Sequence, residues 1–235
     1  MQNRYLIDNT LALVCARGGS KGLKGKNFIS LNKKPLIFFA IDKILKNKLK
    51  YNCLSTDSKK IIKISKKYGL KSFFIRPKKF STSNVSKLKV WQHALEEAET
   101  YYKKKFQYIL DVEVTNPLTT PNDLDKFLTK FNKIKNIYDG MFCVRESWKN
   151  PYFNILVKKK NGYKIVNSLN KKVVARQLAP KTYDHIAALY AFNTSYIKKT
   201  KHFLDGKLIA YKLPLLKSID IDDKEDFELV KKILK

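Results

Sequence analysis

The sequence predicts an α/β protein built on a doubly wound, mostly parallel sheet. In the first half of the 235 residues, apolar runs typical of buried strands alternate with amphipathic helical patterns. Strands separated by helices indicate parallel pairing, with helices packed on the faces of the sheet. The later part carries short strand patterns divided by turns, which is typical of hairpins. We expect one domain over residues 1–235, with a small lobe inserted at about 145–185.

The elements of the alternating part follow from the hydrophobic pattern. Strand patterns lie at 11–15, 51–55, 71–75 and 107–113. Helical patterns lie at about 35–47, 58–68, 86–102 and 121–131. Pro35 and Pro121 suit the first turn of a helix, where a missing N–H costs nothing. Thr120 or Asn122 can provide the cap of the last of these helices.

The later part is predicted to form the lobe and the end of the sheet. Short strand patterns are MFCVRE, FNILV, YKIVN and AALYAF, with turns at Asn150-Pro151 and Asn161-Gly162. The chain then continues with a strand-like LIAYKLP and an amphipathic helix that Asp222 or Asp223 can cap. A hairpin-bearing lobe of this kind often joins two copies of a chain, so we expect a homodimer.

A loop that follows the first strand carries the strongest chemical signal. Residues 16–27 read ARGGSKGLKGKN. Ligands of open α/β sheets bind just past the carboxyl ends of the strands, which is where this loop begins. Its glycines let backbone N–H groups approach a ligand, and the cations Arg17, Lys21 and Lys26 converge there. The loop predicts a polyphosphate site, with an ordinary basic turn as the alternative.

Two familiar phosphate loops are excluded by spacing. A Walker loop that ends at Gly25-Lys26 would need glycine at Ser20 and serine or threonine at Asn27. A dinucleotide fingerprint would need glycine at Arg17 or at Ser20. The loop is therefore of a third kind.

The second chemical signal is the sequence Asp220-Ile221-Asp222 near the C-terminus. In an extended segment, residues two apart project to the same side, so both carboxylates point together while Ile221 packs inward. Mg²⁺ prefers one or two carboxylates together with substrate phosphates and water. We therefore predict a metal site at Asp220 and Asp222. The alternative is helix capping alone, which we favour for Asp223 and Asp226.

The charge of the chain favours a lysine-rich surface over a nucleic-acid site. The net charge is +29, but five of the 49 basic residues are arginines and 44 are lysines spread over every amphipathic segment. Proteins that read bases or clamp phosphodiesters favour arginine. We expect no specific nucleic-acid binding, although the field should attract anionic substrates.

Cellular location and redox state follow from what the sequence lacks. No apolar segment is long enough to span a membrane, and the first ten residues lack the apolar core of a secretory signal. We therefore expect a cytoplasmic protein without a membrane partner. Cys15, Cys53 and Cys143 are scattered through strand-like runs, which favours reduced thiols over a zinc site.

Taken in order, the motifs resemble a known enzyme family. They are residues 16–27, 54–57, Arg76-Pro77, 115–118, Arg176-Gln177 with Pro180, and 220–222. This set, from about residue 11 to the C-terminus, is similar to the cytidylyltransferases that activate nonulosonic acids, including CMP-N-acylneuraminate synthetases. Lys87, residues 113–118 and residues 176–184 resemble the CMP-legionaminic acid synthetase branch most.

The resemblance implies a fold and a reaction. The fold would be a Rossmann-like nucleotidyltransferase with a hairpin-bearing dimerisation lobe. CTP and a 2-keto-3-deoxy sugar acid would give a CMP-sugar and pyrophosphate, with Mg²⁺ as cofactor, for surface glycan biosynthesis. Two alternatives stay open: another sugar acid, such as a Kdo-like or pseudaminic acid, and a basic protein that binds an anionic polymer.

The resemblance also assigns residues. Catalysis would rest on Arg17, Lys21 and Asp222. The nucleotide would be bound by Ala16, Arg17, Gly18, Gly19, Ser20, Lys21, Lys26, Asn27, Arg76, Ser83 and Ser86. The sugar would be bound by Glu113, Thr115, Arg176, Gln177 and Tyr190, with the metal on Asp220 and Asp222. For Arg176, a surface or interface salt bridge is the alternative.

Three departures from the family pattern concern the sugar. Glu113 stands where sialic acid synthetases carry glutamine, and Thr119 stands where the family commonly has arginine. Residues 185–188 read HIAA in place of the more usual PNGA. These changes leave the phosphate-binding residues intact and leave the identity of the sugar open.

Overall fold

The helices and strands were obtained from a computed structural model, which describes residues 2–19, 22–169 and 173–234. In these ranges the strands are β1 (Thr10–Cys15), β2 (Ser30–Leu31), β3 (Lys34–Pro35), β4 (Asn52–Ser55), β5 (Tyr108–Val112), β6 (Gly140–Glu146), β7 (Leu156–Lys159), β8 (Gly162–Ile165), β9 (Tyr183–Asn193) and β10 (Leu208–Lys212). The α-helices are α1 (Gln2–Asp8), α2 (Ile37–Lys46), α3 (Lys59–Lys67), α4 (Lys87–Tyr102), α5 (Pro121–Ile134), α6 (Thr194–Lys199) and α7 (Lys224–Ile233).

The central sheet is parallel apart from one reversed strand. Its order is β10-β6-β9-β5-β1-β4. Strand β1 pairs in parallel with β4 and β5, β10 pairs in parallel with β6, and β9 runs antiparallel between β5 and β6. The predicted fold class is therefore confirmed. The carboxyl ends of β4, β1 and β5 meet at one edge, with Cys15 opposite Ser55 in the register.

Alternating side chains of β1 separate the two halves of the core. Ala12 and Val14 pack with helices α1, α2, α3, α5 and α7, whereas Leu11 and Leu13 pack with α4 and α6 on the other face. Successive side chains of a strand point to opposite faces. Because both faces are covered, residues 11–15 of β1 form a continuous apolar run.

The hydrogen bonds at the helix starts show which aspartates act as caps. Ser58 and Ser86 cap α3 and α4, and Thr120 caps α5 in a capping box with Asp123. Helix α7 has a matching box, in which Asp223 accepts from the Asp226 backbone N–H and Asp226 reaches back. Thr120 and Asp223 are therefore the caps among the candidates, and the Asp222 side chain does not cap α7.

Two local predictions were wrong, and two short helices were not predicted. Residues 71–75 form no strand, although Leu54 N donates a hydrogen bond to Lys71 O at 2.9 Å. Pro35 belongs to the β2–β3 hairpin, because Asn32 and Lys33 adopt positive φ angles of 48° and 64° and turn the chain back. Helix α2 therefore starts at Ile37. Helices α1 and α6 were not predicted, because each is short and weakly patterned.

The predicted lobe contains a second small sheet. Strands β7 and β8 form an antiparallel hairpin, and Gly162 supplies the positive φ that its turn needs. Large apolar side chains of this region are exposed, namely Trp148, Leu156, Tyr163, Val166, Val174 and Leu178. All three cysteines are free thiols, and among the helices described none is long and apolar enough to cross a membrane.

Candidate active site

The glycine-rich loop is anchored to the neighbouring strand where it leaves β1. Gly18 N donates a hydrogen bond to Asp57 Oδ1 at 2.7 Å, just after β4. Asn27 Nδ2 donates to Arg17 O at 2.8 Å, which ties the end of the loop to its start. These bonds hold Arg17 and Gly18 at the edge of the sheet. Ser20 and Lys21 lie outside the described residues, so their assigned roles stay predictions.

The loop packs directly against the aspartate pair. A Cβ atom on Gly22 would lie 2.3 Å from the backbone oxygen of Asp222, so only glycine allows this approach. Lys26 Nζ donates to Ile221 O at 2.6 Å and to Asp222 Oδ1 at 3.0 Å. The two strongest motifs of the sequence, nearly 200 residues apart, therefore form one site.

The two aspartates differ in their surroundings. Ile221 is fully buried and donates its backbone N–H to Thr115 O at 2.9 Å, as expected for an inward residue between two carboxylates. Burial raises the pKa of Asp220, a hydrogen bond from the Thr115 side chain opposes that shift, and the nearby Asp222 charge adds to it. The Asp222 side chain is 76% exposed.

The aspartates offer a donor set that fits a hard cation. Asp220 Oδ1 is buried and has no hydrogen-bond partner among the described residues, so it is free to bind a ligand. No group of three or more acidic, histidine or cysteine side chains forms a metal cluster in the described part of the chain. Two carboxylates suit Mg²⁺, because this ion keeps water and substrate phosphates as its other ligands.

Two cavities meet beside this pair and share Cys15 and Arg17 in their walls. The first, of about 400 Å³, is also lined by Gly22, Lys26, Asn27, Thr115 and Asp222. The second, of about 240 Å³, is also lined by Arg76, Phe80, Thr82, Ser83, Val85, Lys87 and Val90. Together they form one cleft along the sheet edge, with Arg17 at the junction.

Arg76 is a buried part of the second cavity. It is 5% exposed, and its Nε donates to Ser55 Oγ at 2.9 Å while Nη2 bonds to Ser55 O. These bonds fix the guanidinium plane against β4. Ser83 lies in the same cavity, whereas the predicted ligand Ser86 caps α4 through a bond from Lys89 N.

A charged cluster around Lys87, which lines the second cavity, contains two of the predicted sugar ligands. Lys87 Nζ lies 3.0 Å from Asp111 Oδ2, contacts the Glu113 carboxylate, and lies 4.5 Å from the centre of the Tyr190 ring. Trp91 Nε1 donates to the same Asp111 oxygen at 2.8 Å. Sequence reasoning missed Asp111, although a carboxylate inside the apolar run of β5 is a signal.

Arg176 and Gln177 lie elsewhere in the same chain. Both line a cavity of about 410 Å³ in the lobe, together with Glu146, Ser147, Asn150, Ala179, Pro180, Lys181 and Thr182. That lining shares no residue with the cleft at the sheet edge. Arg176 Nη2 donates a long bond of 3.4 Å to Ser147 O. The chain thus brings Glu113 and Tyr190 together and leaves this second group of predicted sugar ligands in the lobe.

Lys43 is a buried cation that the sequence did not reveal. It lies on α2, is 1% exposed, and donates to Asn116 O at 2.9 Å and to Thr119 Oγ1 at 2.7 Å. Burial lowers the pKa of Lys43 to about 7, while charges on Cys143, Asp123 and Asp42 act in the opposite direction. One lysine among 44 gave no sequence signal.

Lys43 should make the stability of the fold depend on pH. Its folded pKa of about 7 lies below the ordinary value of 10.5, so the unfolded chain binds more protons between these values. The free energy of unfolding contributed by Lys43 therefore rises with pH, by at most about 1.4 kcal/mol per pH unit. Urea unfolding at several pH values above 7 should show the wild type gaining stability relative to Lys43→Met. Parallel pH curves for the two proteins would contradict this.

Comparison with known proteins identifies the family. A family-wide sequence profile described as Cytidylyltransferase matches residues 11–233. Post-translational flagellin modification protein B of Campylobacter coli is 32% identical over 97% of this chain and 96% of that protein. The CMP-N,N'-diacetyllegionaminic acid synthase of Campylobacter jejuni is 32% identical over 94% of this chain and 92% of that enzyme.

A solved structure agrees at the level of the fold. The structure of CMP:2-keto-3-deoxy-manno-octonic acid synthetase complexed with CTP superposes with a TM-score of 0.66 at 13% identity, and the match covers 96% of this chain and 98% of that one. With the profile spanning nearly the whole sequence and two relatives above 30% identity, the chain belongs to the cytidylyltransferase family.

Proposed function

We propose that this cytidylyltransferase activates a nonulosonic acid. CTP and a 2-keto-3-deoxy sugar acid of the legionaminic type react to give a CMP-sugar and pyrophosphate. The CMP-sugar is then used in surface glycan biosynthesis. The observation that carries the proposal is that residues of the glycine-rich loop, Asp222 and Arg17 line one cavity, which adjoins a second at Arg17. The name of the Campylobacter jejuni relative supports the sugar class. The name of the Campylobacter coli relative supports a use of the product in flagellin modification.

The triphosphate lies in the larger cavity, beside the loop. Arg17 stands at the junction of the two cavities, where it reaches the reacting phosphate and the departing ones. Lys26 donates two of its N–H groups to Ile221 O and Asp222 Oδ1. Its third N–H group donates to a phosphate oxygen. Lys21 adds a further cation from the same loop. Phosphoryl transfer depends mainly on such positioning and charge stabilisation.

The chemical step is an in-line displacement at the α-phosphorus. The anomeric hydroxyl of the sugar acid attacks, its oxygen forms the new P–O bond while its proton passes to water, and pyrophosphate departs with the electron pair of the broken bond. Asp220 and Asp222 would hold Mg²⁺, and the bound ion would supply charge neutralisation on the phosphates and a lower pKa of the attacking hydroxyl. Asp220 Oδ1 and the exposed Asp222 carboxylate supply the oxygen ligands.

The cleft offers separate groups for the base and for the sugar. The smaller cavity takes the cytosine, because Arg76 is held there by Ser55 and Ser83 offers a hydroxyl. Glu113, Thr115 and Tyr190 face the sugar. The carboxylate of Glu113 accepts hydrogen bonds only, so it favours a substrate with N–H or O–H groups at that position.

The exposed apolar side chains of the lobe support a homodimer. Trp148, Tyr163, Val174 and Leu178 are each between 65% and 72% exposed. Exposed apolar surface of this extent is typical of contacts between proteins. A second copy of this chain covers it in the assembly that we propose, and Arg176 and Gln177 belong to the same region.

Pyrophosphate release tests the reaction. The protein is incubated with Mg²⁺, with each of the four NTPs in turn, and with a panel of N-acetylneuraminate, N,N'-diacetyllegionaminate, pseudaminate and Kdo. We expect pyrophosphate with CTP and a legionaminic-type acid. Release with Kdo alone would support the alternative substrate, and no release with any pair would overturn the enzyme proposal. In that case, retention on an anionic polymer would favour the binding protein.

A further inference from the structure

A buried polar cluster lies beneath the candidate active site. It consists of Lys43, Asn116 and Thr119, which are 1%, 0% and 2% exposed, and is called the turn anchor below. Lys43 Nζ donates to Asn116 O and Thr119 Oγ1, and Thr119 Oγ1 in turn donates to Asn116 O at 3.1 Å. Helix α2 is thereby bonded to the turn 115–119, which follows β5.

The same turn holds the segment that carries the aspartates. The side-chain amide of Asn116 donates to Lys217 O at 2.9 Å and to Ile219 O at 3.0 Å. Thr115 O accepts from Ile221 N at 2.9 Å. The position of residues 217–221 therefore depends on the turn, and the turn depends on the two bonds that Lys43 Nζ donates.

Folding stability alone does not account for a lysine at this position. Among the described residues Lys43 has no ion-pair partner, and the nearby carboxylate of Asp123 is bonded to Lys217 instead. A buried charge without a partner destabilises the folded state, and an apolar side chain of similar volume is often neutral or stabilising there. What a lysine offers, and an apolar residue lacks, is directed hydrogen bonds to the turn.

We propose that Lys43 is a positioning residue, which sets the place of Asp220 and Asp222 relative to the phosphate loop through the turn anchor. This inference rests on the proposed function, because that function assigns the aspartates their role. Without the two Lys43 bonds, the turn 115–119 is free to shift, and the segment bonded to Asn116 shifts with it. A displacement of about 1 Å at reacting groups lowers the rate by about 10²-fold.

Lys43→Met tests the proposal, because methionine fills a similar volume without donors. The matched control is Lys46→Met on the same helix, where Lys46 is 65% exposed and pairs with Asp42. Amide hydrogen exchange is measured on the free proteins. We expect Lys43→Met to lose protection at the Ile221 amide and in 115–119 while α4 and β1 keep theirs, and Lys46→Met to match the wild type.

Kinetics give the second readout. We expect kcat of Lys43→Met to fall by about 10²-fold, with KM for CTP changed by less than about threefold because Arg17, Arg76 and Ser83 are untouched. Mn²⁺ binding, followed by its electron spin resonance signal, should weaken in parallel. Thr119→Val removes one acceptor and should change exchange and kcat in the same direction, but less.

The outcomes separate the two proposals. Wild-type protein that releases no pyrophosphate overturns the proposed function, whereas the exchange experiment still reports whether Lys43 orders residues 217–221. Unchanged Ile221 protection in Lys43→Met, with kcat within twofold of the wild type, overturns the positioning role. Protection lost equally in α2, α4 and β1 also overturns it, since Lys43 would then support the fold in general.

Discussion

Replacing Arg17 with alanine should lower kcat by about 10²–10³-fold, the range typical for removal of one group that stabilises transition-state charge. Arg17 lies in the walls of both cavities, and its backbone is held by Asn27 and by the neighbouring Gly18–Asp57 bond. The side chain can therefore be removed without loosening the loop. Negative charge grows on the departing pyrophosphate, and a fixed guanidinium at the junction stabilises it. Steady-state pyrophosphate release measures the effect.

Lys24 provides the matched control for Arg17. It is an exposed cation of the same loop and lines neither cavity. Lys24→Ala removes the same unit of charge from the protein field, so it should change turnover by less than about threefold, as expected for an exposed, screened charge. Equal losses in the two variants would indicate a general field effect and contradict the role of Arg17. Lys21→Ala is expected to behave as Arg17→Ala does.

Asp222→Asn should lower Mg²⁺-dependent turnover by at least about 10²-fold, while the fold is retained. The loss is large because a bound metal ion contributes several kcal/mol of charge stabilisation. The fold survives because the Asp222 side chain is 76% exposed and Asp223, not Asp222, caps α7. The measurement is a titration of activity with Mg²⁺, together with the thermal midpoint of unfolding. An unchanged Mg²⁺ titration would argue against the metal site.

Asp223→Asn is the control for this substitution. The two aspartates are adjacent and equally charged, but Asp223 accepts a bond from Asp226 N at 2.9 Å as the helix cap. Asparagine caps a helix about as well as aspartate does. The variant should therefore keep both its stability and its Mg²⁺ dependence, so that a loss in Asp222→Asn alone points to the metal.

The sheet and its edge were predictable because burial patterns are local. Residues 11–15 of β1 are apolar, and glycines and cations follow at once, so the strand and the loop after it could be recognised together. Thr120 and Asp223 were among the expected caps for the same reason, since a cap needs only its own first turn. Pro35 shows the limit of this reasoning. Its fixed φ suits a helix start and a hairpin equally, and the turn at Asn32 and Lys33 decided between them.

Function was also predictable to the level of the family, because its residues form short motifs. The loop at 16–27 and the aspartates at 220 and 222 each have a composition that few structural roles require. The resemblance built on them is confirmed at the family level by the profile match over residues 11–233. The roles of single residues stay predictions, among them those of Ser20 and Lys21.

Tertiary structure alone decided which polar groups share an environment. The sequence by itself determined an α/β sheet, a basic glycine-rich loop and a pair of carboxylates, because each depends on residues adjacent in the chain. It did not reveal that Lys26 bonds to Asp222, that Asp111 joins Lys87 and Trp91, or that Lys43 is buried. Burial, and pairing between residues distant in the sequence, depend on how helices and strands pack. In a chain with 44 lysines, only this packing shows which lysine is buried.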